Sequence, residues 1–291
     1  MNARAGTDLP TPKPESGVPQ QAGGPDRRRI AAYYDHRMYQ EAFAAYYGQS
    51  EYANFGYWEA GTRDQAQACE TLVERLLGLV PRHIGRILDV ACGKGATTKR
   101  LLRDYAPQDV AAINISARQL ATCRSNAPGC GVFLMDATSL GFQPGTFDTV
   151  LCVEAAFHFT TREDFLREAY RVLKPGGHLV LSDILMTRDA ERRRRRTERN
   201  YAQNPAAYAE LLRDAGYEAI RVIDATRECW KACYRNAVRH VHDLFLAHAI
   251  PREEIPRLLD GIYAQAPDIT YYLLAAARKP DPLAPRVPEQ E

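Results

Sequence analysis

Asp89 stands just before a glycine turn in the run Ile87-Leu88-Asp89-Val90-Ala91-Cys92-Gly93-Lys94-Gly95. Glycine lets a backbone turn sharply and lets a ligand approach without meeting a Cβ atom. A ligand there lies across the end of a strand, near the N-terminus of the helix that follows. The pattern G-x-G-x-x-G would set a pyrophosphate on that helix, but the third glycine position is Thr98. A carboxylate at this place repels a pyrophosphate and attracts an ammonium group. Further along, Glu154 and His158 form a second group with chemical capacity. An unperturbed imidazole titrates near neutrality, so the residue type of His158 suits a general base, while a packing or hydrogen-bonding role stays open. Glu154 suits positioning of a substrate hydroxyl, with a helix-capping or structural role equally open.

These residues need a frame, and the hydrophobic pattern provides one. Apolar runs over 86–90, 109–115, 131–135, 146–153, 178–183, 219–224 and 269–278 read as strands. Helical patterns separate them over 96–102, from 117, and over 162–173, 189–204, 205–215, 228–248 and 252–264. Before the first strand, 27–47 and 65–79 read as helices and 50–58 as a loop. Alternation of this kind predicts an α/β fold, a doubly wound, mostly parallel sheet of seven strands with helical cap segments. The polar, proline-rich residues 1–27 and the tail 280–291 are expected to be disordered. The domain between them, 28–279, carries lid segments near 30–60 and 186–250.

Asp-x-Ala-x-Gly-x-Gly at 89–95 resembles motif I of the class I S-adenosylmethionine (SAM) methyltransferases, usually Asp-x-Gly-x-Gly-x-Gly, with Ala91 as the departure. Asn114 stands where that family commonly has an acidic residue for the ribose hydroxyls. With Ser116 and Gln119 it resembles a bacterial small-molecule branch reading Gly-x-x-Ile-Ser-x-x-Gln, Ala112 replacing the glycine. Asp136-Ala137 after the third strand resembles the family's adenine contact. The likeness is close over 84–185 and looser over 30–279. It implies a Rossmann-like fold and SAM as cofactor. Ala91, Gly93 and Gly95 then admit the methionine half, and Asp89 meets its amino group directly or through water. Asn114 and Gln119 hold the ribose, Asp136 and Ala137 the adenine, and the methyl points towards Glu154 and His158. The segment Asn54-Phe55-Gly56-Tyr57-Trp58 also resembles one carried by this branch. In that reading Tyr33 and Trp58 close over the cofactor, an aromatic face beside a sulfonium being worth about 0.5–2 kcal/mol; plain packing on the sheet is the competing reading.

The resemblance implies methyl transfer to a small-molecule acceptor, O-methylation of a secondary metabolite leading. C- or N-methylation, an RNA-modifying enzyme and a non-catalytic SAM-binding protein are the alternatives. Composition narrows the field. The 291 residues are 45% apolar, and 38 Lys and Arg against 36 Asp and Glu leave a net charge of +2, too balanced to imply a nucleic-acid partner. No apolar run approaches the ~18 residues of a membrane span, and the N-terminus lacks the apolar core of a signal peptide. Seven scattered cysteines read as reduced thiols in the cytoplasm. Cys229 and Cys233 share a helix face, but no second pair accompanies them and no metal is expected. The arginine run 192–196 points around most of a helix and reads as a solvated face, although one or two of its members could hold an acceptor's carboxylate or phosphate. Monomer and homodimer are both open.

Overall fold

The protein is described here by a computed structural model, which places residues 25–194, 198–264 and 266–283. Two short helices, Pro25–Arg37 (α1) and Glu41–Tyr46 (α2), precede helix Gln65–Leu77 (α3). The first half of the sheet follows as Ile87–Val90 (β1), Ala96–Leu101 (α4), Val110–Asn114 (β2), Ala117–Asn126 (α5) and Gly131–Leu134 (β3). The second half runs Phe147–Val153 (β4), Arg162–Val172 (α6), Leu173–Met186 (β5), Arg188–Arg193 (α7), Pro205–Asp214 (α8) and Glu218–Asp224 (β6). Helices Ala232–Leu246 (α9) and Glu254–Tyr263 (α10) lead to the last strand, Ile269–Arg278 (β7).

The strands form one seven-stranded sheet of order β3-β2-β1-β4-β5-β7-β6. All pairings are parallel except those of β7, which runs antiparallel between β5 and β6. Both faces are covered. Leu88 and Val90 of β1 pack with Phe165, Leu166 and Ala169 of α6, whereas Ile87 packs with Leu72 and Leu76 of α3 and Leu101 of α4. A strand buried on both sides needs apolar side chains on both faces, which is why β1 and β2 read as apolar runs interrupted only near their C-terminal ends, by Asp89 and Asn114. Strand order reverses at β1, so the crevice for a ligand opens above the C-terminal ends of β1, β2 and β4.

Several boundaries differ from the sequence expectation. The single helix expected over 27–47 is two helices, because Met38 turns inward, is buried, and gives its carbonyl to Lys94 Nζ (3.1 Å). α1 begins at Pro25, so Arg27 is helical and does not belong to a disordered tail; residues 1–24 lie outside the described residues. Proline fits a first helical turn, where its missing N–H has no partner to lose. The helix expected over 189–204 is α7 followed by a 3-10 turn at Glu198–Asn200, with 195–197, including Arg195 and Arg196, outside the described residues. A π-helical turn, Arg227–Lys231, opens the helix expected from 228. β5 extends to Met186 because β7 pairs with it that far. At the other end, Lys279 is tied to the domain by its N–H to the Gly177 carbonyl (2.8 Å), and 284–291 are outside the described residues.

Candidate active site

One cavity lies above the crevice and encloses about 1110 Å³, part of it open to solvent. Nine of the residues singled out in the sequence line it: Asp89, Ala91, Gly93, Asn114, Gln119, Asp136, Ala137, Glu154 and His158. At its near end Asp89 is buried at the tip of β1 and accepts a hydrogen bond from Thr98 Oγ1 (2.6 Å). Burial pushes its carboxyl up to about 7, the Thr98 bond pulling the other way. Thr98, which removes the third glycine of a dinucleotide turn, therefore holds the carboxylate in place. Ala91 and Gly93 adopt positive φ of 59° and 55°, the sharp turn the motif requires.

Gly95 stands apart from the cavity lining. Its φ is +89°, and a Cβ there would come within 2.8 Å of Cys123 Cα, so this glycine permits close approach of α4 to α5. In the middle of the cavity, Asn114 Nδ2 donates to Gln119 Oε1 (3.0 Å) and Asn114 Oδ1 accepts from the Ser116 N–H (3.0 Å). Ser116 caps α5 by accepting from the Gln119 N–H (3.1 Å), which turns the Gln119 side chain back towards β2. At the far end Asp136 Oδ1 accepts from the Thr138 N–H (2.7 Å) and Oγ1 (2.6 Å). Its Oδ2 pairs with Arg27 Nε (2.6 Å).

Beyond β4 lies a 3-10 turn, Ala156–His158. Here His158 Nε2 and the hydroxyl of Tyr34 are 2.7 Å apart, their rings edge to face. Burial holds the Tyr34 phenol well above its ordinary pKa, so it keeps its proton at neutral pH. Glu154 adopts φ +51° and turns its carboxylate sideways. Oε2 accepts from the Phe55 N–H (2.8 Å) and from the Tyr272 hydroxyl (2.8 Å). Burial raises this carboxyl to about 8, against the pull of the two donors. Glu154 thus ties the 50–58 loop to β7 while bordering the cavity.

Three expected cofactor contacts fall outside the cavity lining, Gly95 and two aromatic residues. Tyr33 points outward, half exposed, and accepts from Arg37 Nη1 (2.9 Å); its neighbour Tyr34 faces the cavity instead. Trp58 also misses the cavity. Its Nε1 donates to the Phe55 carbonyl (3.0 Å), and its N–H donates to the Glu228 carbonyl (2.9 Å). The loop reaches the site through Glu51, Tyr52, Ala53 and Asn54. Sequence reasoning also missed Arg27, Tyr34 and Lys94. Lys94 is buried in the glycine turn, ion-paired with Glu51 and 4.6 Å from the centre of the Tyr39 ring, so it ties residues 38–51 to the glycine turn.

The doubly wound sheet thus brings a glycine turn and a buried carboxylate at its first strand together with polar groups beyond the ends of the next three. A methyltransferase-domain family matches residues 88–181. Over 273 residues, 83% of this chain and 95% of the relative, the sequence is 31% identical to the 27-O-demethylrifamycin SV methyltransferase of Amycolatopsis mediterranei (strain S699). The erythromycin 3''-O-methyltransferase of Saccharopolyspora erythraea is 31% identical over 144 residues, 47% of each chain. Among solved structures, the (4+2)-cyclase SpnF superposes with a TM-score of 0.66 at 22% identity, over 88% of this chain and 96% of that one. Geranyl diphosphate C-methyltransferase from Streptomyces coelicolor A3(2) gives 0.63 at 14% identity, over 87% and 98%; at these identities both likenesses concern the fold. The chain belongs to the SAM-dependent methyltransferases, and SAM is its cofactor. The donor set fits that cofactor, with a buried carboxylate for an ammonium group, paired amides for vicinal hydroxyls and a second carboxylate for an exocyclic amine. Among the described residues no helix is long and apolar enough to cross a membrane.

Proposed function

We propose that this enzyme methylates a hydroxyl group of a small secondary metabolite, with His158 as the proton acceptor and Tyr34 as its partner. The carrying observation is the Tyr34–His158 pair, 2.7 Å apart in the same cavity as Asp89, Asn114 and Asp136. SAM brings a methyl group already activated on a sulfonium, so the chain must bind, orient, exclude water and take one proton. Asp89 holds the ammonium end, Asn114 and Gln119 the ribose, and Asp136 and Ala137 the adenine. Arg27, Met38 and Glu51 cover the cavity from the lid side and keep water from the transfer. In the tautomer that makes Nε2 an acceptor, Tyr34 donates to it. The acceptor hydroxyl then passes its proton to the Tyr34 oxygen as Tyr34 yields its own to His158, or to Nε2 directly once Tyr34 has turned aside. Glu154 serves as the latch of the lid loop, since Oε2 is taken up by Phe55 and Tyr272.

The O-methyltransferases among the relatives support hydroxyl acceptors, and a cavity covered by its own helices supports a small molecule over RNA. A panel of hydroxylated polyketides and glycosides with radiolabelled SAM tests this. With an acceptor in hand, His158→Ala should lower turnover by about 10²-fold or more while S-adenosylhomocysteine affinity stays near the wild-type value. Turnover within threefold of wild type would remove the proton-acceptor role.

A further inference from the structure

Asn114 leaves the end of β2 without a carboxylate, yet one lies two hydrogen bonds away. Asp35, on the lid helix α1, accepts from Ser116 Oγ (2.5 Å) and from Gln119 Nε2 (2.8 Å), both at the same oxygen, Oδ1. Gln119 in turn accepts at Oε1 from Asn114 Nδ2 (3.0 Å). The donors therefore run in one direction, Asn114 to Gln119 to Asp35. A carboxylate has no proton to donate, so Asp35 fixes which end of the Gln119 amide faces which neighbour. Asp35 itself lies outside the cavity lining, whereas Asn114 and Gln119 line it.

We propose that Asp35 is a positioning residue for the cofactor's ribose, setting the orientation of the Gln119 and Asn114 amides from the lid. This rests on the reading that those two amides hold the ribose. The Gln119 oxygen is directed at Asn114, and the Gln119 nitrogen is committed to the lid. Recognition of the ribose is divided between sheet and lid, so a lid lifted away from Ser116 and Gln119 leaves the amide free to turn and the hydroxyls poorly met.

The polarity of the chain gives a test with a change of sign. In Asn114→Asp, carboxylates flank Gln119 on both sides, and neither orientation of its amide satisfies both. In Asp35→Asn, Gln119 loses its fixed acceptor and both orientations become accessible. In the double variant the chain runs backwards, with the Ser116 hydroxyl, which shares the Asp35 oxygen with Gln119, turning to accept from position 35. The new amide nitrogen at position 35 donates to Gln119 Oε1, and Gln119 Nε2 donates to the new carboxylate at position 114. Calorimetric titration of S-adenosylhomocysteine into the four full-length proteins, each shown folded by circular dichroism, reads this out. Each single variant should bind about tenfold or more weaker than wild type, and the double variant should return to within about threefold. Losses that add in the double variant would reduce Asp35 to a fastener of α1 and overturn the proposal, as would wild-type affinity in Asp35→Asn. Absence of binding by the wild-type protein would instead strike the ribose reading on which the relay is built.

Discussion

At Asp89 burial works against charge, and the consequence is measurable as a function of pH. The carboxyl ordinarily titrates at 3.8 and is raised to about 7 in the fold, first by burial. The native state holds a proton that the unfolded chain releases, so the stability this group contributes is greatest below about pH 4, falls as pH rises to about 7, and is level above that. Binding has the opposite slope. An ammonium group favours the ionised carboxylate, so below pH 7 the protein must release a proton as ligand binds. S-adenosylhomocysteine affinity should therefore rise with pH between about 5.5 and 7, by up to tenfold per unit, and then flatten. Titrations in buffers of differing ionisation heat should show the proton leaving, and Asp89→Asn should abolish both effects. A pH-independent affinity with no proton release would dissociate Asp89 from the ammonium. At this scale the sequence singled out residues that the fold brings to one cavity, Asp89, Asp136 and His158 among them. It concealed Thr98, Lys94 and Asp35, whose partners lie on other elements. Tyr33 and Tyr34 show the limit most clearly. Adjacent residues on a helix point about 100° apart, and a polar helix such as α1 offers no apolar stripe by which to set its phase.

Helix α4 shows how closely one element constrains another. Gly95 at its N-terminus has φ +89°, and an added Cβ would meet Cys123 Cα and Sγ, each at 2.8 Å, on α5. Gly95→Ala therefore combines left-handed backbone strain with a backbone clash, for a loss of about 2–4 kcal/mol. Gly61 has nearly the same φ, +88°, with nothing within 4 Å of an added Cβ. Gly61→Ala should lose only the conformational part, about 1–2 kcal/mol. Urea unfolding of the two variants isolates the α4–α5 contact, and equal losses would mean the helices part without strain. The contrast also explains what was legible among the elements. Strands β1, β2 and β4 are short, mostly apolar runs buried almost throughout, so composition alone locates them. The segment of α1 and α2 was less legible. α2 has no fully buried residue, and the break between α1 and α2 is set by Met38 meeting Lys94, a contact across 56 positions that no local pattern records.

The sheet and the segment that follows β5 are joined through one buried guanidinium. Arg162 opens α6 just beyond the His158 turn and is fully buried. Its Nε donates to Asp183 Oδ2 on β5 (2.6 Å), and Nη2 donates to the Ile184 carbonyl (2.8 Å). Nη1 bonds the Asn200 carbonyl and lies 3.6 Å from Glu191 of α7, while the Arg162 N–H donates to Asn200 Oδ1 (2.8 Å). A single cation thus connects the start of α6, strand β5, Glu191 of α7 and Asn200. A cation so placed is worth less as a pair than as a constraint, because desolvating both charges offsets much of their attraction. Removing one partner is different, since the other stays buried and uncompensated. Arg162→Met should destabilise the protein by about 3–5 kcal/mol, whereas Arg162→Met with Asp183→Leu should recover much of that loss. The double variant still lacks the bonds to Asn200, so trypsin should cut it faster than wild type within 188–200 even where its global stability is restored. Equal cutting rates would show that the segment is held by its surface ion pairs, Arg188–Glu198 and Arg193–Asp268, and that the guanidinium serves the sheet alone.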